Sequence, residues 1–375
     1  MKKGDLAVLI FAFFMFSIPV FSQESLEQKL FDQGFEQIII YDSGDTLQVF
    51  FEHRLFRNPR QSMEFASKII GELEGKVLVF VPVYHNVPVA KYNSSNFAYS
   101  KLSSNDLGLW NNQGNRIGNY RFHARVSPDF SARFGKFDDP FQNKTNLILD
   151  TRIYLFSGLS LHTGILFPLN NNLDAQEMNI RLSPSHLHLF KTFSNYHFLS
   201  IKGGLFFFDR YGLDIQYRYM PFSSPLSVGF ESSVTGFYFF PKEGLYISGI
   251  DDLSLLIDIE YRLNFIPNVS VGLTFGQFLF RDRGMRFDLL RQYGNVDFGF
   301  FAAITGSGRN FGFQFAFPLF PGKLFRTNNV EIRTTEEFRW EYSYNNEDVV
   351  ARRFRLGTPR LKDVIRQYHP SFINH

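Results

Sequence analysis

Ser160 and His162 stand two residues apart in "LSLHTG", and His186 and His188 do the same in "SHLHLF". A Ser, a His and an acid on one wall could form a nucleophile activated by a general base. Two His at i and i+2 leave a strand on the same face and could supply two ligands to a metal. Neither pair has what would complete the chemistry. Nothing in the sequence orients His162, and no nearby carboxylate or Cys joins His186 and His188. These residues therefore read as lining strand faces, with no catalytic residue, metal ligand or cofactor assigned. G-x-S-x-G, H-E-x-x-H and Walker-type motifs are missing, and "GSG" at 306–308 reads as a hairpin turn. The expectation is a protein that is not an enzyme.

A larger set of residues offers binding rather than bond making. Arg152, Asp214, Arg218, Asp258, Glu260, Arg262, Arg286, Asp288 and Asp297 fall on the polar side of their segments, as does Asp150. Their mixed signs predict cross-strand pairs that brace a wall. The same groups could form a surface along which an acidic glycan slides, since the planar Arg fork suits carboxylates.

The segments carrying these charges alternate with period two. In "YGLDIQYRYM" (211–220), Leu213, Ile215, Tyr217 and Tyr219 oppose Asp214, Gln216 and Arg218. The pattern recurs at 147–155, 159–167, 253–263, 269–275, 296–304 and 311–317, and each run reads as a strand with one apolar and one polar face. The polar positions hold Gly, Asp, Arg, Gln and Glu with few Lys, and the apolar positions are rich in Phe and Tyr. A soluble β-sandwich would favour Lys, Glu, Thr and Ser on its wet face. The pattern fits an all-β fold, an antiparallel transmembrane β-barrel with a lipid-facing apolar band and a polar lumen. Residues 75–345, at ~17–20 per strand and connection, give about 14–16 strands. "EEFRWEYSYNN" is the aromatic closing strand.

Composition agrees. Of 375 residues, 48 are Phe and 18% are aromatic, no Cys is present, and the net charge is only +3. Mean hydropathy is −0.14 and the pI is near 8.8, too mild a basicity to imply nucleic acid. Lys2 and Lys3 followed by "LAVLIFAFFMFSIPVF", with Val20 and Ser22 before Gln23, read as a cleaved signal peptide over 1–22. Residues 23–74 read as a small periplasmic α-β-β-α module, in which Asn58 caps and Pro59 starts the second helix. Residues 346–375 form a basic tail with Arg352, Arg353, Arg355, Arg360, Lys362 and Arg366. An even strand number would leave module and tail together in the periplasm. Their charges are expected to be solvated there.

"GQFLFRDRGMRFDLLRQYGNVDFGFFAAIT", "FGFQFAFPLF" and, upstream, "LFDQGFEQIIIYDSGDTLQVFFEHRLFRNP" resemble the YjbH-like family of exopolysaccharide-associated outer-membrane proteins. Glu260, Tyr261 and Arg262 match its "EYR" element. The resemblance implies a role in secretion or surface assembly of an exopolysaccharide or capsule, and it supplies no catalytic residues. The partners expected are outer-membrane lipid, an extracellular polysaccharide and periplasmic polysaccharide-export proteins, with no nucleic acid. The location expected is the outer membrane of a Gram-negative bacterium. Two other readings remain at this point: a barrel enzyme acting on lipid or glycan, and a structural or adhesive barrel.

Overall fold

Two sheets build the protein, a small mixed one and a large antiparallel one. The computed structural model describes residues 25–73, 75–113, 121–134, 140–194, 196–241, 243–320, 323–344 and 350–374. The expected signal peptide lies outside the described residues. Among them no helix is long and apolar enough to cross a membrane, which says nothing of strands.

The first sheet organises the N-terminal module. Ser25 caps α1 (Leu26–Asp32) by accepting from the Gln28 N–H, and Asn58 caps α2 (Pro59–Ile70) by accepting from that of Arg60. Between them β1 (Phe35–Asp42) and β2 (Thr46–His53) form an antiparallel hairpin. β3 (Val77–Tyr84) then pairs in parallel with β2, the crossover being α2. The helix α3 (Ser104–Gln113) follows, and its Trp110 joins Phe50, Val81 and Val83 in a small apolar cluster. The module therefore extends past residue 74, to about 113. "VLVFVPVY" belongs to it and not to the large sheet.

The large sheet runs through β4 (Phe122–Phe134), β5 (Phe141–Phe156), β6 (Leu159–Asn171), β7 (His186–Phe193), β8 (His197–Phe206) and β9 (Arg210–Tyr219). It continues through β10 (Leu226–Phe239), β11 (Asp252–Arg262), β12 (Val269–Gln277), β13 (Arg283–Tyr293), β14 (Val296–Thr305) and β15 (Gly308–Phe317). β16 (Val330–Thr334) and β17 (Phe338–Ser343) follow one another as a single stave. Each long strand pairs antiparallel with the next, and β17 pairs with β15. β16 pairs in parallel with β4, so the pairing returns to its start. Twelve long strands plus this last stave make thirteen among the described residues, fewer than the 14–16 expected. The difference has two sources: residues 77–113 belong to the module, and the staves are long, β5 having 16 residues.

The parallel closure has a topological consequence. With an odd number of staves, the chain leaves the last one at the end opposite to where it entered the first. The tail does not continue outward from there. It turns back inside the circuit, through α4 (Leu361–Arg366) and α5 (Pro370–Ile373), and ends against the module. There Leu361, Ile365, Tyr368 and Ile373 share one buried cluster with module residues Leu30, Phe35 and Phe80 and with wall residues Phe190, Phe198 and Phe222. Six charges expected to be solvated therefore sit within the wall.

Each stave keeps the alternation read from sequence. Along β11, Leu253, Leu255, Ile257, Ile259 and Tyr261 point out and are 36–45% exposed, whereas Ser254, Glu260 and Arg262 point in and are buried. The same holds at Val296, Phe298 and Phe300 against Asp297 on β14. The mostly-β, antiparallel-rich fold class is borne out. The outside is an apolar band too continuous for an ordinary wet surface.

Candidate functional site

Inside the wall, charge is arranged in three contacts: wall to wall, wall to module, and wall to tail. All nine charged residues picked from the sequence face inward. Arg218 pairs with Asp258 and donates to Ser227 Oγ at 2.7 Å. Arg286 spans Asp288 at 2.9 Å and Glu341 at 2.7 Å, with its guanidinium 3.8 Å over the Phe301 ring. Arg152 reaches only the Tyr154 hydroxyl, at 3.4 Å, and Arg262 reaches Gln292 at 3.0 Å. Asp214 is fully buried and accepts from Gln216 at 2.7 Å. Arg218–Asp258, Arg286–Glu341 and Arg262–Gln292 join different strands and brace the wall, whereas the Arg152, Asp214 and Arg286–Asp288 contacts each stay within one strand.

Asp297 and Glu260 have partners from elsewhere in the chain. Arg57, just before the cap of α2, forms an ion pair with Asp297 and another with Glu337 at 2.6 Å, so it ties the module to two staves. Burial disfavours the Arg57 charge, but the two carboxylates more than offset this and raise its pKa. Glu260 is taken by the tail: Arg366 contacts it through a two-point fork at 2.6 and 2.8 Å. Arg366 also holds Asp363 at 2.7 Å. Burial would push the Asp363 carboxyl up; Arg339 and Arg366 beside it bring it well below the usual range.

The tail makes further contacts that no local sequence pattern foretold. Arg353 and Arg360 converge on Glu231, Arg355 pairs with Asp129, and the Leu361 N–H donates to Gln216 Oε1 at 2.7 Å. At the module end, Arg60 donates to the Ile373 carbonyl at 2.9 Å, and the Tyr92 hydroxyl donates to the Tyr368 backbone carbonyl. Both sides of this lock are visible in the sequence as a cationic tail and a set of inward acids. Their pairing is not, because the partners lie more than a hundred residues apart.

Between tail and wall a cavity of about 620 Å³ remains. Its lining mixes cations, acids and rings, among them Arg133, Arg352, Asp129, Glu341, Phe207 and Trp340, and two of its arginines, Arg125 and Arg286, are already paired with wall carboxylates. Its volume is that of a small-molecule site. Forked cations recognise carboxylates and sulfates, and aromatic faces cover the apolar face of a sugar ring. Outside that cavity, Ser160 Oγ lies 3.1 Å from His85 Nδ1 rather than on His162.

Comparison with known proteins gives one match. A family model described as exopolysaccharide biosynthesis protein YbjH covers residues 17–315. No curated protein and no solved structure matches the chain.

Proposed function

The chain belongs to the YjbH family of exopolysaccharide biosynthesis proteins, and we propose that it acts as an outer-membrane β-barrel assisting export or surface assembly of an exopolysaccharide or capsule. The observation that carries this reading is the two-faced wall, apolar outside and charged inside, on a sheet that returns to its start. Such a sheet leaves no unpaired edge for hydrocarbon to reject. The cleaved signal, the periplasmic placement of the module and the partnership with export proteins belong to the same proposal.

The filled interior refines the role. With the tail tied to Glu231, Glu260 and Asp129, much of the interior is filled, and a cavity remains beside the tail. This favours a protein that receives or organises polymer segments, or opens when the tail leaves, over a permanently open pore. It is also what favours a structural barrel as the second reading.

The test is deletion of the gene in its native host, with a complementing copy, followed by analysis of surface and periplasmic polysaccharide. Loss from the surface or periplasmic retention of one polymer is expected. Unchanged polysaccharide with the complementing protein correctly inserted would overturn the export reading in favour of the structural one.

A further inference from the structure

Where the module meets the wall, three buried histidines come together from three elements. His85 is at the tip of the hairpin that follows β3, His162 is on β6 and His188 is on β7. One ring nitrogen of each lies within 4.8 Å of the other two, and all three residues are buried. The rings of His85 and His188 are 4.4 Å apart at 69°, and those of His85 and His162 are 5.8 Å apart at 20°. We propose that His85, His162 and His188 form a zinc site that clasps the module to the wall.

The hydrogen bonds around the cluster select the free nitrogens. His85 Nδ1 is 3.1 Å from Ser160 Oγ, and His188 Nε2 is 2.9 Å from Ser200 Oγ. Each hydroxyl can accept from its ring, which fixes the tautomer and leaves a lone pair on the opposite nitrogen. His85 Nε2, His162 Nε2 and His188 Nδ1 have no hydrogen-bond partner among the described residues. Buried ring nitrogens left unpaired cost stability, and a shared cation would satisfy all three.

His85 and Asn86 both have left-handed φ, +50° and +60°, as the two central residues of a tight hairpin. Asn, Asp and His enter that region more readily than other residues with a side chain. The tip is held firmly. The N–H groups of His85 and Asn86 donate to the Glu52 carboxylate at 3.3 and 3.1 Å, and the Gly158 N–H donates to the His85 carbonyl at 2.9 Å.

The donor set decides the metal. Three neutral imidazoles suit Zn²⁺ and not Ca²⁺ or Mg²⁺, which take oxygen. A tetrahedral zinc with bonds of ~2.0–2.1 Å sets its donors about 3.3 Å apart, so binding would draw together rings whose nitrogens lie within 4.8 Å of one another. A fourth position stays open for water. Arg152, Lys202 and Arg54 are the cations that act on the rings, and Glu52 accepts from the backbone N–H groups of the hairpin tip.

The experiment loads the full-length folded protein in detergent with equimolar ZnCl₂, passes it over a sizing column and measures bound zinc. About one zinc per chain is expected, falling to background in H85Q and in H188Q and unchanged in H197Q, whose ring contacts Tyr217 instead. Folded wild-type protein without bound zinc overturns the proposal, as does full retention in H85Q and H188Q. Should those variants fail to fold, wild-type protein loaded with cobalt decides. Hyperfine-shifted imidazole protons are expected, and their absence overturns the site.

Discussion

At the scale of single residues, the interior is a set of charges that are safe only in pairs. Arg366 is buried between Glu260 and Asp363, and removing it strands at least one of them. Breaking such a pair from one side costs about 3–5 kcal/mol. Arg366→Met is expected to lower the urea midpoint accordingly, and Glu260→Gln in the same chain to recover part of the loss. A midpoint equal to that of the wild type would mean the tail is not seated there. Acid acts on different residues. Burial, with Arg326 and Arg333 adding to it, lowers His53 to about 3, and burial with Arg262 lowers His369 to about 4. Unfolded, both would titrate near the ordinary histidine value of 6.5. As pH falls below that value the unfolded chain takes up protons that the folded one refuses, so stability drops. Each residue costs up to about 1.4 kcal/mol per pH unit until its folded pKa is reached. Urea melts followed by tryptophan fluorescence at pH 7 and pH 5 measure this, and His53→Phe with His369→Gln should lessen the difference. An undiminished difference in the double variant would assign the acid sensitivity elsewhere.

At the scale of elements, the tail is the part whose removal is most informative. Deleting residues 350–375 frees Glu231, Glu260 and Asp129 from their arginines and clears the space the tail fills. In planar bilayers the truncated protein is expected to conduct in larger steps than the full chain, with cations preferred because the freed wall groups are acidic. Equal conductance in the two proteins would show that the tail does not obstruct the interior. The elements were unequally legible in the sequence. Strand faces such as 253–263 could be read because period two is a local property, and burial of one face fixes it. "VLVFVPVY" could not be assigned to a sheet, because a strand buried on both faces has no alternation. The tail showed its charge but not its course. Its partners at Glu231 and Glu260 are set by the closure of the whole wall, including a parallel last pairing that no single segment encodes. His85 was missed for the same reason, since its two neighbours in space come from strands beyond residue 158.

At the scale of the whole molecule, the outside of the wall distinguishes a membrane barrel from a soluble one. Ile257 lies at the middle of β11, opposite Phe230 and Phe275, and points outward. If hydrocarbon surrounds that position, Ile257→Arg should cost about 2–4 kcal/mol on folding into lipid vesicles, whereas Tyr293→Arg, at a hairpin end, should cost about 0–1. Neither position touches the inward ion pairs, so the difference reports the solvent outside the wall and not the bracing within it. Urea titrations in vesicles, scored by the mobility difference between folded and unfolded barrels on cold gels, measure both variants directly. Equal costs at the two positions would mean that the apolar band faces protein or water, and the membrane reading would fail with it. A depth-dependent cost would support the membrane reading. The module docks on the wall end that carries the 156–159 and 293–296 turns, through Arg57 and the hairpin tip at His85. In a membrane each end of such a barrel would face its own aqueous compartment, so the module and the Ile373 end of the tail, which packs against it, would share one side.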